Sequence, residues 1–248
     1  MLRDWKVATM FLTRLPVRLE GKVGLRDLAQ TVYLFPVIGV LVGLAGGIAF
    51  ALATFLGLPS LPASLIAIGT TAMLTGALHE DGLADTFDGL GAGTDRQKAL
   101  EIMGDSRIGS FGTLALIFTV TARVTCLSAF WEPILAATVL IAAGALSRAA
   151  IAVVMWWQPS AKATGLAAAA GRPEPIRVAM AVLLALAIAV SVMPAPQTLV
   201  TAAVTALVTA AFAAWIGQRL GGCTGDTLGA VQQTAEVTFL MAAMVKVL

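Results

Sequence analysis

Seven long apolar runs follow one another along this 248-residue chain. They cover residues 32–56, 63–78, 111–130, 134–157, 175–192, 199–216 and 230–248. A helix needs about 20 apolar residues to cross the hydrocarbon core of a bilayer, and a segment inside lipid must satisfy its own backbone hydrogen bonds. The mean hydropathy of +0.90 also lies outside the range of water-soluble proteins. The sequence therefore predicts an all-α, polytopic membrane bundle of about seven transmembrane helices, in a single domain over residues 1–248.

The N-terminal segment differs from these runs because charged residues interrupt it. Trp5, Lys6, Arg14 and Arg18 are interspersed with apolar residues between positions 4 and 19. This mixture is typical of a helix that lies in the membrane interface, and Pro16 is expected to end it. Arg14 is a candidate for two roles, a lipid head-group anchor or a substrate-binding phosphate ligand.

The stretch LHEDGLADTFDGL concentrates charge in a protein in which only 12% of residues are charged, and it contains the one histidine, His79. Asp81, Asp85 and Asp88 fall at i, i+4 and i+7, so a helix projects all three from one stripe. Carboxylates brought together repel one another, and a hard cation such as Mg²⁺ relieves the repulsion. We predict a metal and catalytic site here, with Glu80 as a further ligand, on a helix that continues the second span. A solvated helical surface is the alternative.

Polar, glycine-rich loops supply a second set of candidate residues. Glycines let backbone N–H groups and cationic side chains approach a phosphate closely. We expect Arg107, in the segment GDSRIG, to act as a catalytic residue on the transferring phosphate, because a guanidinium can bind phosphate oxygens bidentately. The substrate-binding candidates are Arg14, Lys98, Asp105, Ser106, Arg148, Thr224 and Asp226.

Charged residues also occur inside the predicted spans. An arginine within the membrane is costly unless it faces the bundle interior and has a partner, so Arg123 and Arg148 are functional-site hypotheses. The Arg148 side chain has three possible interpretations: it contacts a carboxylate, it contacts a substrate phosphate, or it forms a structural ion pair. Gln232 and Glu236 are four residues apart, so both are expected on one inward face of the last span.

Basic residues collect on one side of the predicted bundle. With a cytoplasmic N-terminus, thirteen of the sixteen lysines and arginines fall in cytoplasmic segments, as the positive-inside rule requires. The acidic stretch and the polar loops emerge on that same side, whereas a transporter would need groups reachable from both sides. We therefore expect a membrane protein with a cytoplasmic active site. A net charge of +2, dispersed along the chain, argues against nucleic acid as a partner.

Four blocks of the sequence are similar to those of one known family. The blocks FLTRLPV, GALHEDGLADTFDG, KALEIMGDSRIGSFG and GGCTGDTLGA resemble the motifs of the cobalamin synthase family, in the same order and over nearly the whole chain. The resemblance implies an Mg²⁺-dependent enzyme of the inner membrane. Such an enzyme joins adenosylcobinamide-GDP to α-ribazole, or to its 5′-phosphate, and releases GMP.

The acidic stretch also allows a second family of membrane phosphotransferases. The Asp-Gly pair at Asp81 is also similar to the start of the CDP-alcohol phosphotransferase motif, so another membrane phosphotransferase of that type would use the same acids. The partners expected in either case are the lipid bilayer and the two substrates. The sequence leaves open whether the chain forms a homo-oligomer.

Overall fold

A computed structural model describes residues 2–18, 26–92 and 95–245. These residues form twelve helices, joined by short loops. In chain order the helices are α1 (Leu2–Leu12), α2 (Arg26–Gln30), α3 (Phe35–Phe55, after a 3-10 turn at Val32–Leu34), α4 (Ser60–Thr75), α5 (Leu78–Gly91), α6 (Arg96–Ile102), α7 (Ser110–Ser128), α8 (Pro133–Trp157), α9 (Leu166–Ala170), α10 (Pro175–Val192), α11 (Ala195–Leu220) and α12 (Gly225–Ala243). Most of the polar segment at residues 20–27 lies outside the described residues, and so does Lys246.

Five helices of the described chain are long and apolar enough to cross a membrane: α3 with its preceding turn, α7, α8, α10 and α11. A sixth span results if α4 and α5, which are joined by a sharp bend, are counted as one broken crossing. The predicted all-α polytopic fold is thus confirmed. The seventh run predicted from the sequence corresponds to α12, which is less apolar because it carries Gln232, Gln233 and Glu236. It packs against α5, α7, α8 and α11.

The junction of α4 and α5 departs from the prediction. The acidic helix was expected to continue the second span, but α5 bends away from α4 by 89°. Gly76 and Ala77 both adopt left-handed conformations, with φ of 68° and 57°, and the Ala77 N–H donates to the Ala72 carbonyl at 2.7 Å. This closes the end of α4 as a glycine C-cap does. The acidic helix is therefore a separate element that contacts α7 and α12.

Glycines hold α3 and α8 in backbone contact. A Cβ added at Gly39 would lie 2.1 Å from the Gly144 carbonyl oxygen, and one at Gly43 would lie 2.4 Å from that of Leu140. A Cβ at Gly47 would lie 2.6 Å from the Ala137 Cβ. The glycine repeat of the first span is thus the seam of close helix contact that its spacing predicts.

A second close contact joins α5 to the start of α12. A Cβ added at Gly82 would lie 2.6 Å from the Asp226 carbonyl oxygen. On the facing helix, a Cβ at Gly229 would lie 3.2 Å from the backbone of His79. These two glycines bring the N-terminus of α12 against the acidic helix, although 141 residues separate Asp85 from Asp226 in the sequence.

Candidate active site

The acidic stripe of α5 meets a fourth carboxylate from α12. Asp81 is exposed, Asp85 is half-buried and Asp88 is buried. The charge of Asp85 is repelled by those of Asp81, Asp226 and Asp88, in that order, and is attracted by Lys162. The sequence assigned Asp226 to substrate binding and gave Lys162 no role. Neither position could be linked to the stripe by spacing, because the fold alone brings them together.

Asp88 connects the stripe to the loop before α7. Its carboxylate accepts hydrogen bonds from the backbone N–H groups of Gly109, at 2.6 Å, and Gly112, at 2.8 Å. A Cβ at either glycine would lie 2.4 Å from an Asp88 oxygen, so only glycine allows this approach. A carboxylate is also stabilised by the partial positive charge at a helix N-terminus. Asp88 thereby fixes the end of the GDSRIG segment beside α5.

The positions of these carboxylates show whether the predicted metal site is preformed. Among the described residues, no three His, Cys, Asp or Glu side chains form a group that could hold an ion. Both oxygens of Asp88 are turned toward the α7 backbone, which explains why the three-aspartate cage expected from the helical spacing is not preformed. Mg²⁺ is usually bound by one or two carboxylates together with substrate phosphates. Asp81 and Asp85, which repel each other, are suited to binding Mg²⁺ together with substrate phosphates.

A different set of charges lies in the interior of the bundle. Arg123 pairs with Glu80 at 2.9 Å and with Glu236 at 2.7 Å, and Arg148 pairs with the other oxygen of Glu236 at 3.0 Å. All four side chains are buried. Glu80 is thus occupied by an ion pair on α7 and is not placed as a metal ligand. Arg148 likewise forms a buried ion pair with a carboxylate, as two of its three interpretations expected, and its substrate contact stays a prediction.

Two glutamines complete this buried ionic cluster. Gln232 donates to Glu236 at 2.6 Å, and Gln233 donates to Glu80 at 3.2 Å while accepting from Arg123 at 2.8 Å. The prediction that Gln232 and Glu236 share an inward face is confirmed. Buried charges need both partners and hydrogen bonds to offset their desolvation, and the cluster supplies two arginines for two glutamates.

Two small cavities open beside Asp226. One, of about 160 Å³, is polar and is lined by Ser160, Lys162, Thr164 and Thr224 as well as Asp226. Thr224 also caps α12, since its side chain accepts from the Thr227 N–H in a reciprocal capping box. This combination of a lysine, hydroxyl groups and a helix N-terminus suits an anion.

The second cavity, of about 150 Å³, shares Asp226 with the first and also contacts Asp81 and His79. Its other walls are mostly apolar. His79 is 2% exposed, and neither of its ring nitrogens has a hydrogen-bonding partner among the described residues. A larger cavity, of about 480 Å³, lies apart from both, between α8, α10 and α11, and its lining is almost entirely apolar.

The remaining candidates lie around this centre at the protein surface. Arg107 is exposed, and its Nε donates to both oxygens of Asp105 at 3.1 Å. These bonds hold the pKa of Asp105 below its ordinary value. Lys98 pairs with Glu101 at 3.3 Å, and Ser106 is exposed. The pairing of Arg107 with Asp105 does not itself place the guanidinium on a phosphate.

Arg14 lies at the bend between α4 and α5. Its backbone N–H donates to the Leu74 carbonyl at 2.9 Å, and its side chain lies within 4 Å of where a Gly76 Cβ would stand. Helix α1 ends at Leu12, ahead of Pro16 as predicted. The N-terminal segment therefore borders the acidic helix, and the Arg14 side chain is exposed there.

Comparison with known proteins found matches over nearly the whole chain. Residues 4–244 match a family model described as cobalamin-5-phosphate synthase. A relative from Bradyrhizobium diazoefficiens is 40% identical over 98% of this chain and 94% of its own length, and one from Azorhizobium caulinodans is 42% identical over 99% and 96%. Both are named adenosylcobinamide-GDP ribazoletransferase. No solved structure matches the chain.

Proposed function

Because the chain belongs to the cobalamin-5-phosphate synthase family, we propose that it is a membrane transferase that joins adenosylcobinamide-GDP to α-ribazole or its 5′-phosphate. The names of the relatives support these substrates. The observation that carries the proposal is the meeting, at Asp226, of the acidic helix with a polar cavity that contains Lys162. Negative side chains and an anion site side by side are what a metal-assisted diphosphate reaction needs.

The reaction exchanges a phosphoanhydride bond for a phosphodiester bond. A ribose hydroxyl of the acceptor forms a bond to the phosphorus attached to cobinamide, and the bond from that phosphorus to the GMP oxygen breaks. GMP leaves, and the hydroxyl proton passes to water. The products are adenosylcobalamin, or its 5′-phosphate, and GMP. Negative charge increases on the leaving oxygen, so groups that stabilise it there accelerate the reaction.

The chain offers distinct groups for the two ends of the diphosphate. Lys162 and the N-terminus of α12 would bind phosphate oxygens in the polar cavity. Arg107 would contact the transferring phosphate or the GMP leaving group, exchanging its exposed pair with Asp105 for substrate. Lys98, Ser106 and Arg14 surround this region and are assigned to substrate binding.

Asp81 and Asp85 would hold Mg²⁺ together with the substrate phosphates, a mode that Mg²⁺ favours. When bound, the ion would neutralise negative charge on the diphosphate. Asp88 contributes by holding the loop that carries Arg107, through its bonds to Gly109 and Gly112. Asp226 is a further candidate ligand because its charge acts on Asp85.

An assay of purified protein in detergent tests this function. We expect GMP release that requires adenosylcobinamide-GDP, α-ribazole and Mg²⁺ together, with corrinoid product formed in equal amount. A CDP-alcohol in place of adenosylcobinamide-GDP should give no CMP. Turnover of CDP-alcohols alone would instead favour the CDP-alcohol phosphotransferase class.

We also propose that the protein lies in the inner membrane with this site on the cytoplasmic face. The concentration of basic residues in one set of loops supports that orientation. With the α4–α5 pair and α12 each counted as a crossing, a reporter fused after Leu248 should report the periplasm. A cytoplasmic signal would mean that one of these two elements does not cross.

A further inference from the structure

The cavity of about 150 Å³ that contacts Asp81 and Asp226 has a lining that suits one kind of chemical group. Its walls come from α1, α3 and α8 and include Phe11, Phe35, Ile151 and Met155. Its charged lining residues are Asp81, on the acidic helix, and Asp226, at the start of α12. An ionic or strongly hydrated group would lose its solvation against such walls without compensation. The cavity therefore favours a flat or compact apolar group.

Its size narrows the choice further. The volume is about 150 Å³, and apolar cavities of about that size are known to bind benzene. One ring of a bicyclic aromatic base would fill the enclosed part, while the second ring and a sugar would extend toward the open side.

The polar character of the base decides between a benzimidazole and a purine. A benzimidazole bound to ribose presents one in-plane nitrogen acceptor and no donor. A purine presents several donors and acceptors, most of which would remain unpaired in this cavity.

We propose that this cavity binds the benzimidazole base of the acceptor riboside. The assignment rests on the proposed function and adds the place of the acceptor. Because the apolar and polar cavities share Asp226, a base in the former puts its ribose beside a diphosphate in the latter. The walls of the cavity, and above all Ile151 and Met155, then determine which bases are accepted.

Direct binding of the free base tests the site independently of turnover. Equilibrium dialysis of 5,6-dimethylbenzimidazole against the purified protein should give saturable binding that weakens at least tenfold in Ile151→Phe, which fills the cavity. Val153→Phe is the matched control. It lies two residues away on α8, lines the large apolar cavity instead, and should bind within twofold of the wild type. Equal binding by both variants and the wild type would overturn the site.

Kinetics then connect the site to the reaction. In Ile151→Phe the KM for α-ribazole should rise at least tenfold, while the KM for adenosylcobinamide-GDP stays within twofold. A wild type that binds the base but transfers nothing would contradict the proposed function and leave the cavity assignment standing.

A cavity-enlarging variant covers the case in which Ile151→Phe does not fold. Ile151→Ala creates space, so the ratio of kcat/KM for a naphthimidazole riboside to that for α-ribazole should increase about tenfold. The ratio of the dissociation constant of the naphthimidazole riboside to that of α-ribazole should fall, because the larger riboside gains affinity. An unchanged ratio in both measurements would show that Ile151 does not contact the base.

Discussion

Two clusters of charge meet on the same short helix, α5, and they are built on opposite rules. In the buried ionic cluster, Glu80 and Glu236 face Arg123 and Arg148, so the charges balance and every head group has a partner. In the acidic stripe, carboxylates repel one another, and Lys162 is the one cation that acts on Asp85 among the described residues. Glu80 and Asp81 are adjacent in sequence and belong to different clusters.

The difference indicates what each cluster does. A balanced, buried set of ion pairs holds helices in one arrangement, because removing one member leaves an uncompensated charge in the interior. An unbalanced set at a cavity is unfavourable for folding and is typical of a site that awaits a cation or a substrate. We therefore expect changes in the first cluster to alter stability and changes in the second to alter activity.

The largest effect is expected in the acidic stripe. Asp81→Asn and Asp85→Asn should each lower turnover by at least about 1000-fold, since both remove charge from the proposed Mg²⁺ position without changing volume. The melting temperature in detergent should remain within about 2 °C of the wild type because neither residue is buried in an ion pair.

A second measurement separates binding from catalysis in these variants. Stabilisation of the wild type by Mg²⁺ plus adenosylcobinamide-GDP should be lost in both, because a ligand stabilises only the state that binds it. Near-normal Mg²⁺-dependent activity in both variants would contradict the assignment of the ion to this stripe.

In the buried ionic cluster, Glu236→Gln should destabilise the protein by about 3–5 kcal/mol, because two arginines lose their shared carboxylate. Unfolding in mixed detergent measures this free energy. Glu132→Gln is the control, since Glu132 is exposed on the loop before α8. Adding Arg148→Met to Glu236→Gln restores the charge balance and should recover part of the stability, whereas no recovery would mean that charge is not what the cluster requires.

Arg107 offers a test on the exposed side of the site. Arg107→Lys should lower kcat on the order of 100-fold if the guanidinium contacts the transferring phosphate, as removal of other preorganised donors does. Stability should not change, because the Arg107–Asp105 pair is exposed. The companion variant Asp105→Asn frees Arg107 and should retain kcat. An unchanged kcat in Arg107→Lys would mean that Arg107 only forms its surface ion pair with Asp105.

A smaller loss of stability than that of Glu236→Gln is expected at Asp88, which combines features of both clusters. Asp88→Asn keeps the size of the side chain but weakens the acceptors for Gly109 and Gly112, at a cost of about 1–3 kcal/mol. Hydrogen exchange of the amides at the start of α7 should report the loss locally. Unaltered exchange there would show that the carboxylate does not hold the loop.

The sequence was informative wherever neighbours along a helix decide the structure. The stripe of Asp81, Asp85 and Asp88, the glycine seam of α3 and the shared face of Gln232 and Glu236 all follow from helical periodicity. The apolar runs likewise predicted the membrane helices within a few residues. Each of these features depends on spacing alone.

Contacts between distant segments could not be found in this way. The approach of Asp226 to Asp85 depends on Gly82 and Gly229, and nothing local distinguishes these from the other glycines. The break after α4 was missed because alanine is a strong helix former, yet Ala77 adopts a left-handed conformation. The missed break also concealed that Glu80 turns toward Arg123 and away from the stripe.

The position of α5 between two clusters restricts how its sequence can change. Each residue along a helix advances by about 100° of rotation, so one inserted or deleted residue between Ala77 and Asp88 would rotate part of the helix by that angle. An acid of the stripe would then face the arginines, and Glu80 would lose them. This segment can therefore diverge by substitution while its length stays fixed.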